Sequence, residues 1–119
     1  MRHVILGAAF ALMLPLSAQA QDAAAGEKAF VACKACHAFG KNGVGPNLTG
    51  VVGRKAASLE GYTYSAALKD SGITWDEANL KEWLIGPAAN KVKGTKMVYQ
   101  GLKDEKKTAD VIAYLATQK

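Results

Sequence analysis

The sequence predicts a small all-α fold, with three main helices joined by unusually long loops. Three observations predict it. Helix-forming composition or helical period appears in three separate stretches, at residues 22–33, 74–85 and 104–115. Strand-like alternation of apolar and polar residues is almost missing. The connections are rich in glycine and hold no sustained period, so they carry no regular element of their own.

The elements follow in order. In "DAAAGEKAF" Asp22 is placed to cap a first helix, and the alanines after it favour one that runs to about Cys33. From Ala38 to Gly61 the pattern dissolves into a long irregular segment, which in so small a domain wraps something or carries function. "TYSAALKDSG" holds a short helical turn that stops at Gly72. Thr74 and Glu77 match a capping box, and Leu80, Trp83 and Leu84 then share one helical face until Gly86-Pro87 ends it. "AANKVKGTKMVYQG" reads as another loop. The last helix starts near Asp104, with Thr108, Val111, Ile112 and Leu115 at helical spacing and Tyr114 beside that stripe.

Residues 1–20 read as a cleaved secretory signal peptide. Arg2 and His3 give a positive start, Val4–Leu16 is an apolar run of thirteen, and Ala18 and Ala20 frame a cleavage point before Gln21. A spanning helix needs about 20 apolar residues, and this run is shorter and broken at Pro15. The expected mature chain is a single domain, residues 21–119, exported to the periplasm and without stable membrane insertion. It carries 14 basic and 10 acidic residues, a net charge of +4, with the lysines scattered. That balance suits an acidic protein partner and gives no footprint for nucleic acid. With no large apolar helix face left over, the expected state is a monomer.

Removing the leader leaves two cysteines, one histidine and one methionine: Cys33, Cys36, His37 and Met97. Three of the four stand together in "CKACH". Cys-x-x-Cys-His is an attachment pattern for c-type haem: two thiols on one helical turn reach two vinyl groups, and the adjacent imidazole turns onto the iron. Haem attachment takes place outside the cytoplasm, where the leader would send the chain. A haem would also complete a core that three short helices leave deficient, with loops wrapping its faces. Other chemistries use the same residues. A thiol oxidoreductase uses Cys-x-x-Cys, but at a strand-to-helix junction that this sequence lacks. Structural zinc needs four ligands and the cluster offers three. A disulfide would close only a tiny loop and leave His37 unexplained.

If His37 takes one face of the iron, a side-chain ligand for the other must be found elsewhere. Both cysteines are consumed by thioethers and no second histidine remains, so Met97, in the loop "KGTKMVYQG", is the leading candidate. A core-filling role for Met97 and ligation by Lys96 are the alternatives.

Beyond these residues the chain resembles the class I cytochromes c, specifically small soluble bacterial members similar to mitochondrial cytochrome c. The resemblance spans the whole domain and rests on "CKACH", "GPNLTGVVGRKA", "YTYSAALKDSGITW", "KGTKMVYQGLKD" and "DVIAYL", in that order. It implies one covalently bound haem c with His37 and Met97 as axial ligands. It also implies that the Pro46 carbonyl accepts from His37 Nδ1, that Arg54, Tyr64 and Trp75 surround a haem propionate, and that Thr95 sits near it. Gly26 and Tyr114 would mark the crossing of first and last helices, and Tyr99 would lie at the haem edge. The implied activity is one-electron transfer without substrate turnover, between redox proteins such as an oxidase, reductase, reaction centre or dehydrogenase. Acidic patches on those partners would meet lysines such as Lys34, Lys93, Lys96 and Lys103. Two positions depart from the family pattern. Leu68 replaces an amide residue, and Trp83 replaces a tyrosine near the methionine sulfur. An indole donates from a different place than a phenol, so the sequence alone does not say whether Trp83 reaches Met97. An open sixth position, which would suit peroxide or a small gas, is the competing activity.

Overall fold

The computed structural model describes residues 21–119; the leader reading lies outside them. Five helices follow one another: α1 (Ala23–Ala29), α2 (Ala66–Asp70), α3 (Glu77–Ile85), α4 (Ala88–Lys91) and α5 (Glu105–Ala116). Among the described residues no helix is long and apolar enough to cross a membrane. The all-α expectation holds, and α1, α3 and α5 are its three main helices. The only extended pairing among those residues is an isolated bridge between Lys55 and Thr74.

Local chemistry explains the boundaries. Asp22 caps α1 as its sequence suggests, accepting from the N–H groups of Ala24 and Ala25. At Phe30 the hydrogen bonding tightens to a 3-10 turn, Phe30–Cys33, which delivers the first cysteine to the cavity described below. The capping box expected from Thr74 and Glu77 does not form. Asp76 is the cap of α3 and accepts from Asn79 N–H at 2.8 Å, because a carboxylate one residue before the helix outcompetes a hydroxyl three before it. Thr74 instead offers its carbonyl to the Asn79 side chain at 2.9 Å. The segment after Pro87, expected as loop throughout, contains the four-residue α4. Asp104 caps α5 by accepting from Lys107 N–H.

Helices α1 and α5 cross at Gly26. A Cβ there would lie 1.9 Å from the Asp110 carbonyl oxygen, so only glycine permits this approach. The contact also places Asp110, a buried carboxylate, against the start of α1. Its Oδ1 accepts from Asp22 N–H at 2.9 Å and from Lys106 Nζ at 2.7 Å. Lys106 first, and then the Asp22 N–H, hold the Asp110 carboxyl below its ordinary range against the opposing effect of burial. Phe30 anchors the same corner, stacked on Phe39 at 5.2 Å and tilted toward Tyr114 at 5.5 Å. The stripe predicted on α5 is the buried one: Thr108, Val111, Ile112 and Leu115 all face the core. On α3 the buried residues are Leu80, Trp83 and Leu84.

Candidate functional site

The helices and loops enclose an apolar cavity of about 490 Å³, within the range of small-molecule and cofactor sites. Every residue assigned a site role from sequence lines it: Cys33, Cys36, His37, Pro46, Arg54, Tyr64, Trp75, Thr95 and Met97. Their sequence separation is large, so the fold itself gathers them.

One wall is built on the Cys-x-x-Cys-His turn. His37 N–H returns to the Cys33 carbonyl at 2.9 Å, and Gly45 N–H reaches the Cys36 carbonyl at 2.8 Å. These two bonds fold residues 43–46 back over the histidine. The imidazole Nδ1 then lies 3.0 Å from the Pro46 carbonyl, which accepts from it. Committing Nδ1 as the donor leaves Nε2 with its lone pair uncommitted. Burial lowers the His37 pKa, and the Pro46 carbonyl only partly opposes this, so the ring is held neutral. Cys33 and Cys36 are free thiols, and burial followed by the neighbouring Cys36 raises the Cys33 pKa. Gly45 was not singled out from sequence. A Cβ there would meet three ring atoms of His37, at 2.5, 2.7 and 2.9 Å. A glycine directly before the proline whose carbonyl accepts from His37 was the available signal.

The opposite wall is a strap after α4. Met97 N–H donates to Thr95 Oγ1 at 3.2 Å, and Lys96 Nζ donates to the Thr63 carbonyl at 3.0 Å. Tyr99 Oη donates to the Leu84 carbonyl at 2.6 Å. Burial first, and then the charge on Cys33, push the Tyr99 phenol up to about 12, which keeps that donor protonated. Leu102 N–H reaches the Leu84 carbonyl at 2.9 Å. Gly101, at φ +106, makes this return possible, since a Cβ there would lie 2.1 Å from the Ile85 carbonyl oxygen. Trp83 answers the point its sequence left open: its indole N–H donates to Met97 Sδ at 3.2 Å. Leu68 also lines the cavity as an apolar residue.

The third side is polar. Gly53 N–H donates to the Trp75 carbonyl at 2.7 Å, and Trp75 N–H donates to the Arg54 carbonyl at 2.8 Å. This pairing brings Arg54 and Trp75 to the same rim. The guanidinium is fixed by donation to the carbonyls of Asn47 at 3.0 Å and Thr49 at 3.2 Å. It is therefore a held, half-buried charge and not a freely solvated one. Tyr62, missed from sequence, closes this side. Its Oη donates to the Val44 carbonyl at 2.8 Å, and its ring stands edge-on to Tyr64 at 4.8 Å. Tyr64 Oη is buried without a hydrogen-bond partner. An orphaned buried hydroxyl is costly, and an anionic group in the cavity would satisfy it. Paired thiols at one edge, apolar walls, and an unpaired phenol with a fixed guanidinium at the other fit an apolar macrocycle that carries carboxylates.

A small helical shell around such a cavity, with Cys-x-x-Cys-His at its edge, defines a c-type haem protein. The family model described as Cytochrome c matches residues 23–119, and the chain belongs to that family. It is 53% identical over 111 residues to cytochrome c-554 of Methylosinus trichosporium, covering 91% of this chain and 83% of the relative. It is 46% identical over 118 residues to cytochrome c2 of Blastochloris viridis, covering 97% and 92%. Among solved structures, cytochrome cH from Methylobacterium extorquens superposes with a TM-score of 0.78 at 63% identity, covering 81% of this chain and 98% of that one. The family assignment makes this an electron-transfer protein with covalently bound haem c, and not an enzyme. The thiol-oxidoreductase, zinc and disulfide readings fall with it.

Proposed function

We propose that this protein is a periplasmic one-electron carrier in which Cys33 and Cys36 form the two haem thioethers and His37 and Met97 are the axial iron ligands. Residues 1–20 are its cleaved leader, residues 21–119 its single domain, and it works as a monomer. One observation carries the reading. His37 and Met97 line the same cavity, His37 is held at Nδ1 so that Nε2 stays available to a metal, and Met97 Sδ is held by the Trp83 indole.

When bound, the haem supplies an iron that cycles between Fe(III) and Fe(II). The chain's own residues do the rest. Pro46 orients the imidazole and raises its basicity through Nδ1. Arg54, Tyr64 and Trp75 would hold a propionate, with Thr95 near it, and Tyr64 would gain the partner that it lacks. Phe30, Leu80, Leu84 and Val111 exclude water from the cavity walls. Ligation by the Met97 thioether together with His37 would raise the reduction potential relative to two histidines. Lys34, Lys93 and Lys103 are exposed and suit encounter with acidic patches on redox partners; Lys96 is exposed but already engaged with Thr63.

The test is the absorption spectrum of the ferrous holoprotein before and after carbon monoxide. No change is expected, because Met97 holds the sixth position. A prompt shift would show that position to be open and would overturn the assignment of Met97.

A further inference from the structure

The loop that brings Pro46 to His37 contains "KNGVGPN", residues 41–47. Asn42 stands directly before Gly43, and both are exposed. The other asparagines, Asn47, Asn79 and Asn90, precede Leu48, Leu80 and Lys91. Asparagine is a thermolabile residue. A following glycine has no Cβ, so its backbone nitrogen is unshielded and the chain is free to close a small ring. The fold adds a further feature. Asn47 N–H donates to Asn42 Oδ1 at 2.8 Å. That donor is fixed, because the Asn47 side chain accepts from the N–H groups of Gly40 at 2.7 Å and Thr49 at 2.9 Å. A nucleophile that adds to Asn42 Cγ pushes negative charge onto Oδ1, where the N–H is already aimed. One contact opposes the attack: Gly43 N–H donates to the Gly45 carbonyl at 2.9 Å and must first release it.

We propose that Asn42 is a site of spontaneous covalent modification, where the Gly43 backbone nitrogen displaces the side-chain amide and the loop acquires an isoaspartate. The step is independent of the haem reading, and its atoms balance. Gly43 N gives its proton to solvent base and bonds to Asn42 Cγ. The Cγ–Nδ2 bond breaks, and Nδ2 takes up a proton and leaves as ammonia. One water then opens the five-membered imide. Attack at Cγ gives aspartate; attack at the backbone carbonyl carbon gives isoaspartate. Nothing is oxidised or reduced. Isoaspartate lengthens the main chain by one carbon and puts a carboxylate where a neutral amide stood. That carbon enters the segment between Cys36 and Pro46, which is closed by Gly45 N–H on the Cys36 carbonyl at 2.8 Å and by His37 Nδ1 on the Pro46 carbonyl at 3.0 Å. Both bonds lose their register, so the loop loosens where it holds the histidine.

The test incubates the holoprotein at mildly alkaline pH and maps its peptides by mass spectrometry, with isoaspartate marked by an isoaspartyl methyltransferase. Modification is expected at Asn42 about tenfold faster than at Asn47, Asn79 or Asn90. The product, one negative charge richer, should leave a cation-exchange column before the parent. Gly43→Ala is the control. A Cβ there would meet only the Cys36 carbonyl oxygen, at 3.7 Å, an ordinary contact that the fold accepts. In G43A the rate at Asn42 should fall about tenfold, because the new Cβ crowds the attacking nitrogen. Asn42→Asp carries the charge without the extra carbon and should keep the parent's guanidinium midpoint, whereas the purified isoaspartate form should unfold at a lower one. If Asn42 reacts no faster than the other three asparagines, or if G43A leaves its rate unchanged, the proposal is overturned. An isoaspartate form with the parent's midpoint would overturn the loosening of the loop.

Discussion

Replacing Gly26 with alanine tests how the two terminal helices are locked. The intrinsic effect is stabilising, because alanine is favoured over glycine within a helix by about 1 kcal/mol. The structure opposes it. The new Cβ would lie 1.9 Å from the Asp110 carbonyl oxygen, 2.4 Å from its carbonyl carbon and 3.0 Å from Tyr114 Cβ. Two of the three are backbone atoms, so no rotamer change relieves the contact and α1 must lift off α5. Overpacking of this kind costs about 1–3 kcal/mol. The lift also stretches the bond from Asp22 N–H to Asp110 Oδ1, and a hydrogen bond to a buried charge is worth about 1.5–3 kcal/mol. Set against the helix gain, the expected net loss is about 2–4 kcal/mol, from the same principles. Guanidinium unfolding of the holoprotein, followed by tryptophan fluorescence, reads it as a lower midpoint at unchanged slope. A G26A midpoint equal to or above the parent's would refute the reasoning, since propensity would then outweigh the crossing.

Gly45→Ala places a Cβ 2.5 Å from the His37 ring, so the imidazole must leave the Pro46 carbonyl. The expected cost is about 1–3 kcal/mol of stability, with an altered ferrous spectrum, and a parent-like spectrum and midpoint would contradict it. Acid sensitivity follows from Asp110, whose carboxyl is held below its ordinary range in the folded protein. A depressed folded pKa means that its stabilisation is fully present above the ordinary carboxylate range and is lost as pH falls through the folded value. In Asp110→Asn, stability should fall at neutral pH, and its slope between neutral and acid conditions should flatten. Denaturant midpoints measured across that range check this, and an unchanged slope would count against it.

The parts legible in the sequence were those with a local cause. Asp22 and Asp104 cap helices through bonds two or three residues away, and the α5 stripe repeats at helical spacing. The cysteine motif concentrates its chemistry within five positions, and Met97, reached by counting what remained, lines the same cavity. What the sequence hid depends on contacts between distant segments. Tyr62 reaches Val44 across 18 positions, and Gly45 matters only because two backbone bonds fold it onto His37. No period or composition marks either. The four-residue α4 is too short to show a period. The misread cap of α3 was a contest between Thr74 and Asp76, which the motif pattern does not rank.

The two walls of the cavity are secured by different means, and the difference bears on electron transfer. A carrier works best when both oxidation states share one geometry, so if His37 and Met97 face the iron as proposed, each must be held by something other than the metal. On the histidine side this comes from local backbone folding: Cys33, Cys36 and Gly45 close a tight loop that aims the Pro46 carbonyl at Nδ1. No such loop exists on the methionine side, where the strap is pinned by long-range bonds to Thr63 and Leu84. Each of those holds backbone or a neighbouring side chain, and none touches the sulfur. Among the described residues only Trp83 does, from the buried face of α3 that it shares with Leu80 and Leu84. The indole thus performs for the strap what Pro46 performs for the loop, which is why a tryptophan at this position keeps the site's logic while changing its donor.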